Sequence, residues 1–218
     1  MSTVGRDRRA VVVALRLSDG GVAKLKWLYR GLETGGAHEA RQILAPGYRV
    51  VEVLGGADVT AASLVGSISR LAADDEVDVV DVVLVIHGLS GRLQFSRDEI
   101  RTAASVADDL KASGASPKLR LLYSSACYGA THAAPLLGAG FTTVIGAEQK
   151  NTTGLSEFRR LLHAWVAGTP AGEAMAGADK PVPRWFWDTV ARVAGRMRKV
   201  NSHKQLAGDP AITITSPA

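Results

Sequence analysis

Cys127 is the sole cysteine of the 218-residue chain, and it follows an apolar run in LRLLYSSACYGA. About forty residues earlier another apolar run, VDVVLVIHG, ends in His87-Gly88. A thiol becomes an effective nucleophile when a neighbouring imidazole takes its proton, so these two residue types could together carry acyl transfer. Small residues stand beside each: Ser125, Ala126 and Gly129 near Cys127, and Gly88 after His87. Small neighbours let a substrate backbone approach and leave backbone N–H groups available to an oxyanion. Each residue has a plainer alternative. A lone Cys after an apolar strand is most often a small buried hydrophobe, and a lone His beside Gly is most often a loop residue with its hydrogen bond satisfied. Those alternatives weaken together, because both residues fall at the same kind of position.

That position is the C-terminal end of a strand. Apolar, β-branched stretches predict strands at 10–17, 48–54, about 80–86, LRLLYS, FTTVIG and the closing AITIT. Between them lie helical patterns: 22–33, a helix capped by Thr60 with Leu64, Ile68 and Leu71 on one face, and one opened by SRDE (96–99), where Ser96 and Glu99 have capping-box spacing. A short helix near 131–138, GLSEFRRLLHAWVAG with Phe158, Leu161 and Trp165 inward, another starting at Thr169-Pro170, and a basic helix follow. The Gly-rich stretch from Gly31 to Ala37 reads as mobile, as do 89–95 and 147–154. No linker or repeat divides the chain, so residues 1–218 read as one α/β domain with a mostly parallel, six-stranded sheet and helices on both faces. Right-handed crossovers bring the third and fourth strands side by side and put His87 and Cys127 on one edge, where open α/β sheets bind ligands.

Composition sets the outer limits. With 46% apolar and 22% charged residues the chain is globular, not disordered. A single cysteine excludes an intrachain disulfide framework and Cys₄ or Cys₂His₂ zinc sites, and it fits a reducing compartment. No metal cluster or cofactor motif is visible, and none is expected. No run approaches the roughly eighteen apolar residues of a spanning helix. AVVVALRL is interrupted by Arg16 and leads into Ser18-Asp19-Gly20, so it reads as a core strand, not a signal peptide, and the expected location is the cytoplasm. The charge is uneven. Residues 180–204 hold seven Lys or Arg against Asp188 alone, whereas 50–179 hold ten against fifteen acids. In PRWFWDTVARVAGRMRKVNSHK the expected arrangement is an amphipathic helix with Trp185, Val190, Val193 and Met197 toward the core. A docking face for an acidic partner or for nucleic acid is the alternative. No nucleic-acid-binding motif accompanies it.

Five segments in this order resemble the caspase-like cysteine peptidases, a group that includes gingipains, separases, metacaspases and bacterial CHAT domains. They are VVLVIHG, LLYSSACYGA, TTVIGAEQ, EFRRLLHAWVAG…GEAMAGA and LAGDPAITI, spanning roughly residues 10–215, with the closing Gly-Asp-Pro nearest to CHAT and gingipain-like domains. The resemblance implies hydrolysis of peptide bonds in a protein or peptide substrate through a thioester. Cys127 would attack the scissile carbonyl. His87 would protonate the leaving amine and then activate water, and the N–H groups of Gly88 and Cys127 would form the oxyanion hole. It also suggests a role in bacterial signalling or defence, with a possible activating partner protein.

Specificity departs from the pattern. Metacaspases carry an acid two residues before the nucleophile, where this chain has Ser125. Glu148 is the only acid in the loop AEQKNTTG and is the candidate for binding a basic P1 side chain. Two other functions compete. One is an α/β-hydrolase with a Cys nucleophile, whose catalytic His would follow Cys127 in sequence, pointing to His203 with Asp179 or Asp188. The other is a caspase-like interaction module without turnover. His38, His132 and His163 are weaker candidates, and Arg92, Arg97 and Lys150 are basic positions at which self-cleavage could fall.

Overall fold

The computed structural model describes residues 3–19, 26–193 and 197–218, so residues 22–25 of the first expected helix and Arg196 of the basic segment lie outside the described residues. In chain order the elements are β1 (Arg9–Arg16), α1 (Lys26–Leu44), β2 (Val50–Gly55), α2 (Ala61–Ala73), β3 (Val79–Leu89), β4 (Arg92–Gln94), β5 (Ile100–Thr102) and α3 (Ala103–Ala112). Then come β6 (Leu119–Ser124), α4 (Ala133–Gly138), β7 (Thr143–Ala147), α5 (Gly154–Val166), α6 (Ala171–Ala178), α7 (Pro181–Val193) and β8 (Lys204–Gly208). The sheet order is β2-β1-β3-β6-β7-β8, parallel except for β8, which runs antiparallel to β7.

β1, β3 and β6 are buried almost throughout, as parallel strands covered on both faces must be. Their alternate residues feed two cores. Val12, Val82, Leu84 and Leu122 pack with Leu64 and Ile68 of α2, Val106 and Leu110 of α3 and Leu136 of α4. Val11, Val13, Val83, Val85 and Tyr123 pack on the other face with Ala40 and Leu44 of α1 and Phe158, Leu161 and Trp165 of α5. Asp81 and Arg120 interrupt two apolar strands and answer each other, Arg120 donating from Nε and Nη2 at 3.0 and 2.6 Å. The β3–β6 register slips between the Val80–Leu119 and Val82–Leu122 pairs, at this ion pair. Tyr48 Oη also donates to Asp81, and burial raises its phenol well above the ordinary value. Among the described residues no helix is long and apolar enough to cross a membrane.

The sheet corrects several expectations. It has eight strands, because β4 and β5 form a hairpin on the end of β3, beside the six in the continuous run. SRDE therefore opens no helix: Glu99 accepts from the Ala61 N–H of α2, and α3 is capped by Thr102. The closing strand is KQLAG, not AITIT. Ile212 and Ile214 do alternate inward into the core, but the carbonyls of both are taken by the Ala171 N–H and by Arg120 instead of by a strand. Gly31 to Ala37 lie inside α1, whose burial of Glu33, Ala40 and Leu44 overrides the low helix propensity of glycine. α7 forms, but Trp185, Val190, Val193 and Met197 point to solvent, and among its described side chains the one it buries is Asp188. Arg184, Asp188 and Arg192 bond back to Asp179, Ser202 and Val200, which fixes that orientation.

Candidate active site

β3 and β6 are neighbours, with Leu84 level with Ser124 and the Ser125 N–H donating to the Leu84 carbonyl at 2.8 Å. The chain then turns, and Cys127 stands three residues beyond β6, as His87 stands three beyond Leu84. The two segments touch. A side-chain carbon on Gly88 would lie 2.5 Å from the Cys127 carbonyl oxygen and 2.9 Å from Ala126 Cβ, so only glycine fits there. The next turn is equally tight against β7, where a carbon on Gly146 would lie 2.3 Å from the Gly129 carbonyl carbon. Tyr128, not Cys127, takes the left-handed conformation, with φ 59°.

His87 is held from the β1 side. Its Nε2 lies 2.7 Å from the Leu17 carbonyl oxygen, which can only accept. Nε2 therefore carries the proton in the neutral ring, and Nδ1 is left as the basic nitrogen. The Tyr29 ring meets the imidazole edge-on, with centroids 6.2 Å apart. Leu17 is itself fixed: Glu33 Oε1, buried on α1, accepts from the N–H groups of both Leu17 and Ser18, the latter at 2.7 Å.

Cys127 is half-buried and held from the β7 side. The Asn151 N–H points at its sulfur at 3.4 Å, and Asn151 Nδ2 donates to the Ser125 carbonyl at 2.8 Å. Burial pushes the thiol above its ordinary value. The Asn151 N–H and the cations Lys204 and Lys150 pull the other way without cancelling it, so the resting sulfur is protonated. Lys204 is fully buried, 3.2 Å from Glu157 and over the Tyr123 ring at 5.9 Å. The loop carrying Asn151 is clasped by α7. Thr152 Oγ1 and Ser202 Oγ donate to Asp188 Oδ1 at 2.7 and 2.6 Å, Ser202 N donates to Oδ2 at 3.1 Å, and Thr152 N donates to Ser202 Oγ at 2.8 Å.

The remaining candidates are placed differently. Ser125 is buried, and its carbonyl is committed to Asn151. Glu148 accepts from Asn201 and Gln205 at 2.5 and 2.8 Å, tying the end of β7 to the chain around β8. His132 is fully buried; its Nε2 lies 2.9 Å from the Leu89 carbonyl, and burial lowers its pKa, so it props the end of β3 as a neutral ring. His163 faces solvent on α5. His203 Nδ1 does meet Asp179 at 2.6 Å, but Arg184 fills the same pair at 2.6 Å to Asp179 and 2.8 Å to His203. Burial would raise Asp179; Arg184, the Lys204 N–H and His203 outweigh it and lower the carboxyl. Sequence reasoning missed Glu33, Asn151 and Lys204, and gave Asp188 a different part, as a candidate partner of His203. Asp188 carried a signal as the lone acid of a basic amphipathic segment; Glu33, Asn151 and Lys204 carried none.

No family model matches the chain, and no curated protein matches it in sequence. Solved structures do match. Caspase-1 from Spodoptera frugiperda superposes with a TM-score of 0.63 at 14% identity, over 93% of this chain and 89% of that one. A secreted C11 cysteine protease from Bacteroides thetaiotaomicron, iotapain, gives 0.55 at 10% identity, over 81% of this chain and 62% of that one. At these identities the likeness is one of architecture: the chain has a caspase-like α/β fold.

Proposed function

We propose that the protein is a cysteine endopeptidase working through His87 and Cys127. The close approach of Gly88, next to His87, to Ala126 and Cys127, at the strand ends of a fold shared with a caspase and a C11 protease, supports this reading most strongly. As a substrate carbonyl arrives, the Cys127 proton passes to His87 Nδ1 and the sulfur bonds to the carbonyl carbon. The oxyanion is met by the N–H groups of Gly88 and Cys127. His87 returns its proton to the leaving amine as the C–N bond breaks. It then takes a proton from water, whose oxygen displaces the sulfur from the thioester, and passes that proton to the departing Cys127 thiolate. The Leu17 carbonyl on Nε2 stabilises the imidazolium that forms at each stage. The raised thiol pKa fits a nucleophile that ionises only when the proton can move to His87.

A positional peptide-library screen tests the reading, comparing wild type with Cys127→Ala and His87→Ala. Cleavage by wild type alone is expected; a fully active His87→Ala protein would remove the dyad. The same screen reads P1 preference. A Lys or Arg preference lost in Glu148→Gln would assign Glu148, which must then release Asn201 or Gln205. If no peptide is cleaved and a peptide chloromethylketone leaves Cys127 unlabelled, the chain is instead a caspase-like interaction module. A nearer kinship to CHAT or gingipain-like domains, a role in signalling or defence, a cytoplasmic location and an activating partner belong to this same proposal.

A further inference from the structure

α7 is an amphipathic helix mounted with its apolar side outward. Trp185, Phe186, Val190 and Val193 share one face by helical spacing and are 66%, 52%, 39% and 76% exposed. With Thr189, the four line an apolar recess of about 470 Å³. The opposite side carries buried Asp188, whose three bonds to Thr152 and Ser202 would be lost if the helix rolled to bury its aromatics. Each large apolar side chain left in water forgoes about 1.5–3 kcal/mol. An apolar patch of this kind, rimmed by charge, marks an interaction surface.

The rim specifies what covers it. Lys180, Arg192, Arg198 and Lys199 are exposed and flank the stripe in sequence, and the only acid between residues 180 and 204, Asp188, is buried within its clasp. The rim is therefore positive with nothing on the segment to offset it. We propose that the outer face of α7 is a docking site for an acidic amphipathic segment of a partner protein. Its large apolar side chains would fill the recess and its carboxylates would meet the rim cations. A lipid surface suits the site less well. Arg184 is committed to Asp179 and His203, which takes one cation of the helix away from any headgroup. The surface and its test do not depend on whether Cys127 hydrolyses peptides.

The probe is a synthetic helical peptide of about 18 residues, Leu and Phe on one face and Glu elsewhere, titrated calorimetrically into the full chain. One-to-one binding that weakens with salt is expected, falling about tenfold or more in Val190→Glu and in Trp185→Glu. These positions are exposed, so the variants should keep the wild-type thermal midpoint and circular dichroism. The double variant Arg198→Glu, Lys199→Glu should lose the acidic peptide and gain the same peptide with Lys in place of Glu. Absence of binding, or binding indifferent to all three variants, would overturn the proposal. So would binding to phosphatidylglycerol vesicles without peptide binding, or a concentration-dependent dimer abolished by Val190→Glu; these would assign the face to lipid or to a second copy.

Discussion

His87 and Cys127 are held by parallel devices of different stiffness. On one side a buried carboxylate of α1, Glu33, grips the backbone of Leu17 and Ser18, and the Leu17 carbonyl holds the imidazole. On the other a buried carboxylate of α7, Asp188, grips Thr152 and Ser202, and the adjoining Asn151 meets the thiol. The helices bearing the two acids differ. α1 sends Ala40 and Leu44 into a core with Phe158, Leu161 and Trp165 of α5, and Glu39 pairs with Arg159 of that helix. Among the described residues α7 sends nothing into either core and is attached through polar side chains. The imidazole side is thus backed by core packing, and the thiol side by a buried set of hydrogen bonds to a helix that packs in neither core among the described residues. The comparison makes the thiol side the adjustable half of the site.

The largest expected effect tests the packed half. Trp165→Ala should cost about 3–5 kcal/mol in urea unfolding, whereas Trp185→Ala on α7 should change stability by less than about 0.5 kcal/mol. Equal losses would erase the distinction between the helices. Next comes Glu33→Ala, which leaves two backbone donors without their acceptor. It should cost about 1–3 kcal/mol and, on the peptidase reading, lower kcat/KM roughly a hundredfold through a displaced imidazole. Glu33→Gln, which keeps an acceptor oxygen, should recover most of both; if it recovers neither, the grip on Leu17 is not what matters. Asp188→Ala should cost about 1 kcal/mol or somewhat more, yet speed alkylation of Cys127 by iodoacetamide as Asn151 loosens. An unchanged alkylation rate would disconnect α7 from the thiol. The smallest effect is in pH. Because the folded-state carboxyl of Asp179 is depressed, its contribution is full above the unfolded value near ~3.9 and is lost as pH falls through the lower folded value. Wild type should therefore lose more stability than Asp179→Asn on acidification below about pH 4. Parallel loss curves would mean that Arg184 and His203 leave that carboxyl unaffected.

The sequence made some of this legible and hid the rest for physical reasons. Predominantly apolar runs mark β1, β3 and β6, interrupted by Asp81 in β3 and Arg120 in β6, and a residue at the end of such a run must emerge at the sheet edge, which places His87 and Cys127 there. Helical period identified the stripes of both α5 and α7. Period states which residues share a face and not which side of the helix the domain covers, so Phe158 and Trp165 were placed correctly and Trp185 and Val190 were reversed. AITIT shows the mirror failure: Ile212 and Ile214 alternate as a strand would, but Gly208-Asp209-Pro210 has already turned the chain away from β7. Glu33 and Asn151 left no trace, because a side chain gripping a distant backbone has no spacing to recognise. Ser96 and Glu99 had the spacing of a cap, but Glu99 was claimed by a different helix.

Consider finally the sulfur beneath the Asn151 N–H. Peroxide oxidises thiolates, and a thiol held protonated and half out of solvent offers it little. A Cys127 thiol kept protonated by burial should therefore form a sulfenic acid slowly. On the peptidase reading, oxidation would fall mainly on molecules whose Asn151 loop has opened to admit substrate.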